Sequence, residues 1–208
     1  MIASVPSKTP EQNAMPVENK NFLPVDPLNQ SLLLKLARDS IRCYLATGRE
    51  ALVESSHFPP SLQQDAACFV SLHIKGKLRG CIGTTHAYRP LVHDVVHNAH
   101  AAAFEDPRFP RVKREEEPEL HIEISILTTP QPLCFTSEKD LLEQLRPGED
   151  GLIIQEGVHR ATFLPAVWNS LPDKKDFLQQ LKLKAGLGTN HWSDRIEAWR
   201  YKTITFSE

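Results

Sequence analysis

Over residues 66–83 the apolar positions leave helical spacing for strict alternation. Cys68, Val70, Leu72 and Ile74 fall on one side of the chain, with Phe69, Ser71 and His73 on the other. Lys75-Gly76-Lys77 supplies a turn, and residues 78–83 run back as a second strand. A hairpin with one apolar face needs a layer to cover it, which commits the chain to sheet packed on helix or on a second sheet. The turn also decides which residues share a face. A two-residue Gly76-Lys77 turn is good type II′ chemistry, yet it sets Leu78 and Ile82 on the side of Ser71 and His73. An odd-numbered loop keeps Leu78 and Ile82 with Val70, Leu72 and Ile74 and brings Arg79 and Cys81 beside Ser71 and His73; a half-buried face favours that register.

Helices are available as cover. Leu33, Leu34, Ala37, Ile41, Tyr44 and Leu45 recur at helical spacing behind Asn29 or Ser31, either a fitting N-cap, and Gly48 stands where a left-handed stop belongs. A second helix over about 90–105 opens on Pro90 and carries Val92, Val95, Val96, Ala99, Ala102 and Ala103 as one stripe, until Asp106-Pro107-Arg108-Phe109-Pro110 ends it. Leu120, Ile122, Ile124 and Ile126 alternate as another half-buried strand. Ser137 and Asp140 resemble a capping box ahead of a short helix closed by Pro147-Gly148. The remainder reads as strands over 151–155 and 159–163, a helix capped by Asp173 and stopped at Gly186, and one final strand over about 196–206. Hairpins with interspersed helices, and no repeating strand-helix rhythm, give an α+β fold class with mainly antiparallel sheet and flanking helices.

Pro6, Pro10, Pro16, Pro24 and Pro27 lie among Ser, Asn, Gln and Glu. Residues 1–27 are therefore expected to form a proline-rich flexible arm, unless Val17, Phe22, Leu23 or Val25 clips onto the body, with the folded domain over 28–208. Lys and Arg number 24 against 26 Asp and Glu, a formal net charge of -2, so no chain-wide field draws in nucleic acid. The longest apolar stretches fall far short of the roughly 20 residues that span a membrane, and the N-terminus lacks the basic-then-apolar build of a signal peptide. The expectation is a cytoplasmic protein with neither nucleic-acid nor membrane partners. Cys43, Cys68, Cys81 and Cys134 form no C-x-x-C and fit neither a disulfide scaffold nor a zinc ribbon. The question is then whether any one thiol is special.

Cys81 stands out through its neighbours. If Leu78 and Ile82 face the core, Arg79 and Cys81 share the opposite face with Cα atoms about 6.5–7 Å apart, a range at which a guanidinium can stabilise a thiolate. In the odd register His73 joins them, giving the parts of an activated nucleophile with Cys81, Arg79 and His73 as candidate catalytic residues. Gly80 and Gly83 weaken the strand, and close approach of a ligand or of another backbone segment is a common reason to accept that. With a ligand, their amides could donate to an oxyanion. Cys43, Cys68 and Cys134 read as ordinary packing residues. Arg108 is a candidate for holding an anionic ligand, against a structural reading in which it pairs with Asp106 in a rigid loop while Phe109 plugs the core. Glu123 is a candidate for orienting His73 or Arg79, against a plain solvent-facing role. His93, His97 and His100 lie within about 60° of one another at about 100° per helical residue, so two of them could clasp a divalent metal; no carboxylate shares their spacing, and a solvated, helix-flanking face is the favoured reading. Lys174, Lys175, Lys182 and Lys184 likewise read as a solvated helix face, and Trp168, Trp192 and Trp199 as packing anchors.

The ordered set LRGCIG (78–83), Pro90-Leu91, Ala102-Ala103-Phe104, DPRFP (106–110), IEISIL (122–127), TFLP (162–165) and KAGL (184–187) resembles the AMME syndrome candidate protein family, or AMMECR domain. Its bacterial branch is called AmmeMemoRadiSam system protein A. The resemblance covers about residue 30 to the C-terminus. It implies a two-lobed AMMECR-type fold with the LRGCIG strand lining a cleft between lobes. It also implies association with a Memo-like protein and a radical SAM enzyme. The role it suggests is thiol-dependent or small-molecule chemistry centred on Cys81, the rival being a non-catalytic adaptor that docks a Memo-like partner. It names no activity, cofactor or substrate. Asp150 stands where some relatives carry His, which removes a histidine-based role there.

Overall fold

The computed structural model describes residues 25–208. The greater part of the proposed arm, residues 1–24 with Val17, Phe22 and Leu23, lies outside the described residues. Val25 is buried in the main core, and the first helix, α1 (Pro27–Thr47), starts earlier than Asn29. Its cap is Asp26, whose carboxylate accepts from the Asn29 amide at 2.8 Å, with Pro27 taking the first-turn position where no amide is needed. Gly48, at φ 68°, ends it in the left-handed conformation, as the sequence suggests.

The hairpin forms as β1 (Cys68–Ile74) and β2 (Lys77–Gly83), and a second helix, α2 (Leu91–Phe104), follows. The turn has two residues, Lys75 and Gly76, both at positive φ, which is type I′ geometry. It does not have an odd count. A β-bulge supplies the missing residue: His73 pairs with Leu78 but Leu72 with Gly80, leaving Arg79 as the extra residue. Above the bulge Ser71 faces Cys81 and Val70 faces Ile82, the register the buried face demands; below it Leu78 swings away from the core and is 41% exposed. The expectation that Leu78 faces the core is corrected on that ground.

β3 (His121–Leu127) pairs with β1, and β8 (Thr203–Ser207) closes a sheet of order β2-β1-β3-β8. Helices α1 and α2 cover one face of this sheet and build the larger core around Leu33, Ile41, Leu72, Val95, Ile122 and Ile124. The second sheet, β4-β7-β5-β6, combines β4 (Gln131–Pro132), β5 (Gly151–Glu156), β6 (His159–Phe163) and β7 (Glu197–Tyr201). It packs with α3 (Glu138–Gln144) and α4 (Lys174–Lys184) in a second core, where Trp168 stacks on Phe177 with centroids 3.7 Å apart. All strand pairings among the described residues are antiparallel, and the α+β class holds.

The final strand is two strands in two sheets. Lys202 separates β7 from β8; its carbonyl accepts from the Thr128 amide at 2.8 Å, and its amide donates to Thr128 Oγ1 at 2.9 Å. Thr128 itself lies in the passage from β3 to β4, so the chain crosses between sheets twice at one place. Ala67, Leu127, Ile153 and Tyr201 form a small third core there, with Phe69, Leu164 and Trp199 against it.

Candidate functional site

The uncovered face of the first sheet carries Phe69, Ser71 and His73 from β1, and cross-strand register sets the rows. Cys81, Ser71 and Glu123 lie side by side on three adjacent strands, and Leu78, His73 and His121 form the next row but one in sequence. The Ser71 hydroxyl donates to Cys81 Sγ at 3.2 Å. His73 lies a row away, and among the described residues no hydrogen bond joins it to Cys81. Glu123 is on the far side of Ser71 from Cys81 and contacts neither His73 nor Arg79 through a hydrogen bond.

Arg79 does not act on Cys81. The bulge turns its side chain toward the loop after α2, where its guanidinium donates to both carboxylate oxygens of Glu116 at 2.8 and 3.0 Å and to the carbonyls of Pro110 and Arg111 at 2.7 and 3.3 Å. That guanidinium holds Glu116 below the usual carboxylate range. Arg79 is a structural clamp. The glycines also have packing reasons: a Cβ on Gly80 would stand 2.1 Å from the Ala102 carbonyl oxygen of α2, and one on Gly83 would enter the Phe69 ring. The close approach behind both glycines is therefore protein against protein.

The cation that reaches Cys81 is Arg108. Its Nη2 donates to the Cys81 carbonyl at 3.1 Å, while Nε and Nη2 grip Asp106 at 2.9 and 2.7 Å. Asp106 also accepts from the Cys81 amide at 2.9 Å. Hydrogen bonding from Arg108 is the main force that holds the Asp106 carboxyl down to about 2, against the opposing effect of its burial. Asp106 in turn raises Arg108 above the ordinary arginine value. The pairing of Asp106 with Arg108 agrees with the structural reading of DPRFP. Phe109, however, is half-buried beneath the Arg108 guanidinium, 5.4 Å from ring centroid to Cζ, and does not plug the core.

A third group comes from the other half of the molecule. Lys184, in the last turn of α4, donates from Nζ to the Thr162 carbonyl at 3.0 Å and lies 5.2 Å over the Phe163 ring. Although the residue is exposed as a whole, desolvation of its ammonium lowers its pKa; charge on Cys81 opposes that, and Arg108 adds to it. Three separate motifs, LRGCIG, DPRFP and KAGL, thus contribute one group each, Cys81, Arg108 and Lys184, to one electrostatic neighbourhood. Lys182 does not belong to a solvated face: it is 0% exposed, pairs with Glu138 Oε1 at 2.9 Å and sits over Trp192. KAGL was the available signal for Lys184, but an isolated lysine on an amphipathic helix carries no mark of the groups it will meet.

The histidine face of α2 is not solvated either. His93 Nε2 meets Ser55 Oγ at 2.6 Å, and His100 is buried between aromatic rings. The three other cysteines form no disulfide; Cys68 is buried, and burial pushes its thiol up. Asp150 is a turn residue, held by Arg146 Nη2 at 2.8 Å. A separate cavity of about 880 Å³ opens between the halves and includes Gln64, Asp65, His86, Thr128, Arg160 and Trp199; no residue of Leu78 to Gly83 lines it. No helix among the described residues is long and apolar enough to cross a membrane.

Two antiparallel sheets, flanked by helices and joined where the chain crosses twice, define an α+β class of protein. The AMMECR1 family model matches residues 34–206. A protein of Methanocaldococcus jannaschii is 36% identical over 183 residues, 84% of this chain and 88% of its own length. One from Methanothermobacter thermautotrophicus is 37% identical over 180 residues, 85% and 92% respectively. The crystal structure of an uncharacterized protein from Pyrococcus horikoshii is similar at a TM-score of 0.79 and 34% identity, over 85% of this chain and 90% of that one. The chain belongs to the AMMECR1 family.

Proposed function

We propose that this protein binds a small anionic molecule between its halves and presents Cys81 to it. The observation that carries this reading is that Arg108, whose guanidinium reaches the Cys81 carbonyl, and Lys184, whose ammonium senses charge at Cys81 and Arg108, come from segments about 75 residues apart to the neighbourhood of a sulfur that already accepts a hydrogen bond from Ser71. A hydroxyl donor on the sulfur and two cations in its neighbourhood suit negative charge there, whether it belongs to a thiolate or to a ligand. Arg108 is 55% exposed at its side chain, so its guanidinium can keep Asp106 and still meet a ligand. Glu123, one strand beyond Ser71, bounds the site with charge of the opposite sign.

Within this reading Cys81 is the group that reacts with or anchors the ligand, Arg108 and Lys184 hold its anionic part, and Arg79 and the two glycines shape the strand. The four unpaired thiols suit a reducing, cytoplasmic setting, and the association with a Memo-like protein and a radical SAM enzyme implied by the family resemblance suits a supporting role in a modification pathway. Mass spectrometry of the native protein, paired with labelling, tests it. A bound small anion lost in Cys81→Ser, and iodoacetamide labelling of Cys81 faster than of the similarly half-buried Cys43, support the proposal. No bound anion, together with Cys81 labelling no faster than Cys43, leaves the docking-adaptor reading in its place.

A further inference from the structure

Away from Cys81, where α1 ends and α2 ends, three donor atoms gather around one point. His100, on α2, is 4% exposed, and neither of its ring nitrogens has a hydrogen-bond partner. Its ring packs between Tyr44, 4.6 Å away edge-on, and Phe104, 5.2 Å away. Nδ1 is aimed at two carboxylates: Glu50 Oε1 at 3.6 Å, just past the Gly48 stop of α1, and Glu105 Oε1 at 3.7 Å, at the C-cap of α2. All three donors lie within 4.8 Å of one another.

Those separations are too long for hydrogen bonds, which rarely exceed about 3.2 Å for N–H···O. They are close to what two ligands of one ion require, since metal bonds of about 2.1 Å at tetrahedral angles set donors roughly 3.4 Å apart. A buried imidazole without partners is costly, and a metal at Nδ1 supplies one of its two nitrogens with a partner. Charge points the same way: among the described residues neither Glu50 nor Glu105 pairs with a lysine or arginine, so two carboxylates face one imidazole with no other cation beside them. We propose that Glu50, His100 and Glu105 bind a divalent transition-metal ion, with Zn²⁺ as the type. One imidazole and two carboxylates suit a borderline ion better than Ca²⁺ or Mg²⁺, which take oxygen alone. The carboxylate side chains are 56% and 53% exposed, so water reaches the ion and completes its coordination.

The test uses the full chain, stripped with a chelator and titrated with Zn²⁺ by calorimetry and with Co²⁺ by visible spectroscopy. One ion per chain is expected, with a cobalt spectrum free of thiolate charge transfer. Glu50→Gln and Glu105→Gln, which alter only exposed side chains, should each weaken binding at least tenfold, whereas Cys43→Ser leaves it unchanged. Absence of saturable binding, affinity indifferent to both glutamine substitutions, or a thiolate-to-cobalt band would each overturn the proposal. So would an imidazolium signal from His100 by NMR that survives addition of Zn²⁺, because it would assign the two carboxylates to a proton and not to a metal.

Discussion

Gly80 has no room for a side chain, because the Ala102 carbonyl of α2 occupies the place where a Cβ would go. Gly80→Ala must push helix from sheet, and we expect it to cost about 3 kcal/mol or more, read as a fall in the urea midpoint. Gly76→Ala, strained only by its positive φ in open space, should cost about 1 kcal/mol. Equal effects of the two would contradict the packing account. Asp106 makes a pH-dependent contribution. Its carboxyl is lowered from 3.8 to about 2 by the Arg108 pairing, so the stabilisation is present above pH 4 and is lost as pH falls through 2. The shift corresponds to about 2 kcal/mol, and Asp106→Asn should remove it and flatten that part of the stability profile. At this scale Cys81 was conspicuous in the sequence as a candidate, because glycine and arginine beside it are unusual in a strand. Lys184 was not, because its significance depends on the opposite half of the molecule.

The bulge at Arg79 is the element that reconciles a short turn with a buried face. Alternation specified which residues must face the core, and the register above the bulge follows it; the device that achieves this depends on where the Arg79 side chain finds partners, and those lie some 30 residues further on at Pro110, Arg111 and Glu116. No spacing within the hairpin announces them. Arg79→Lys keeps the charge but loses the planar fork, so we expect about 1–3 kcal/mol of destabilisation with Cys81 labelling within twofold of wild type. Unchanged stability with slowed labelling would instead assign Arg79 to the thiol. The same limit explains why one strand was read over 196–206. Strand-forming residues continue on both sides of Lys202, with only a change of phase from Trp199 and Tyr201 to Ile204 and Phe206, while the switch between sheets is set by hydrogen bonds to Thr128, distant in sequence.

In the whole molecule, the first half is completed by β8, the last strand of the chain, so neither half is a contiguous segment that ends before the other begins. The third core and the double crossing at Thr128 and Lys202 tie the halves together. We expect one cooperative transition: tryptophan fluorescence, which reports only the second half through Trp168, Trp192 and Trp199, should coincide with far-ultraviolet circular dichroism, dominated by α1 and α2. Separated midpoints would show two independent units. The central claim belongs to this scale as well, since the proposed site takes Cys81 and Arg108 from the first half and Lys184 from the second. Its most direct measurement compares the rates at which anionic iodoacetate and neutral iodoacetamide alkylate Cys81, resolved from Cys43 and Cys134 by peptide mass spectrometry. With Arg108 and Lys184 as anion-holding groups, the iodoacetate preference at Cys81 should exceed that at Cys134 by about tenfold at low ionic strength, shrink with added salt, and collapse in Arg108→Gln/Lys184→Gln. An identical preference at Cys81 and Cys134, untouched by the double substitution, would contradict the account.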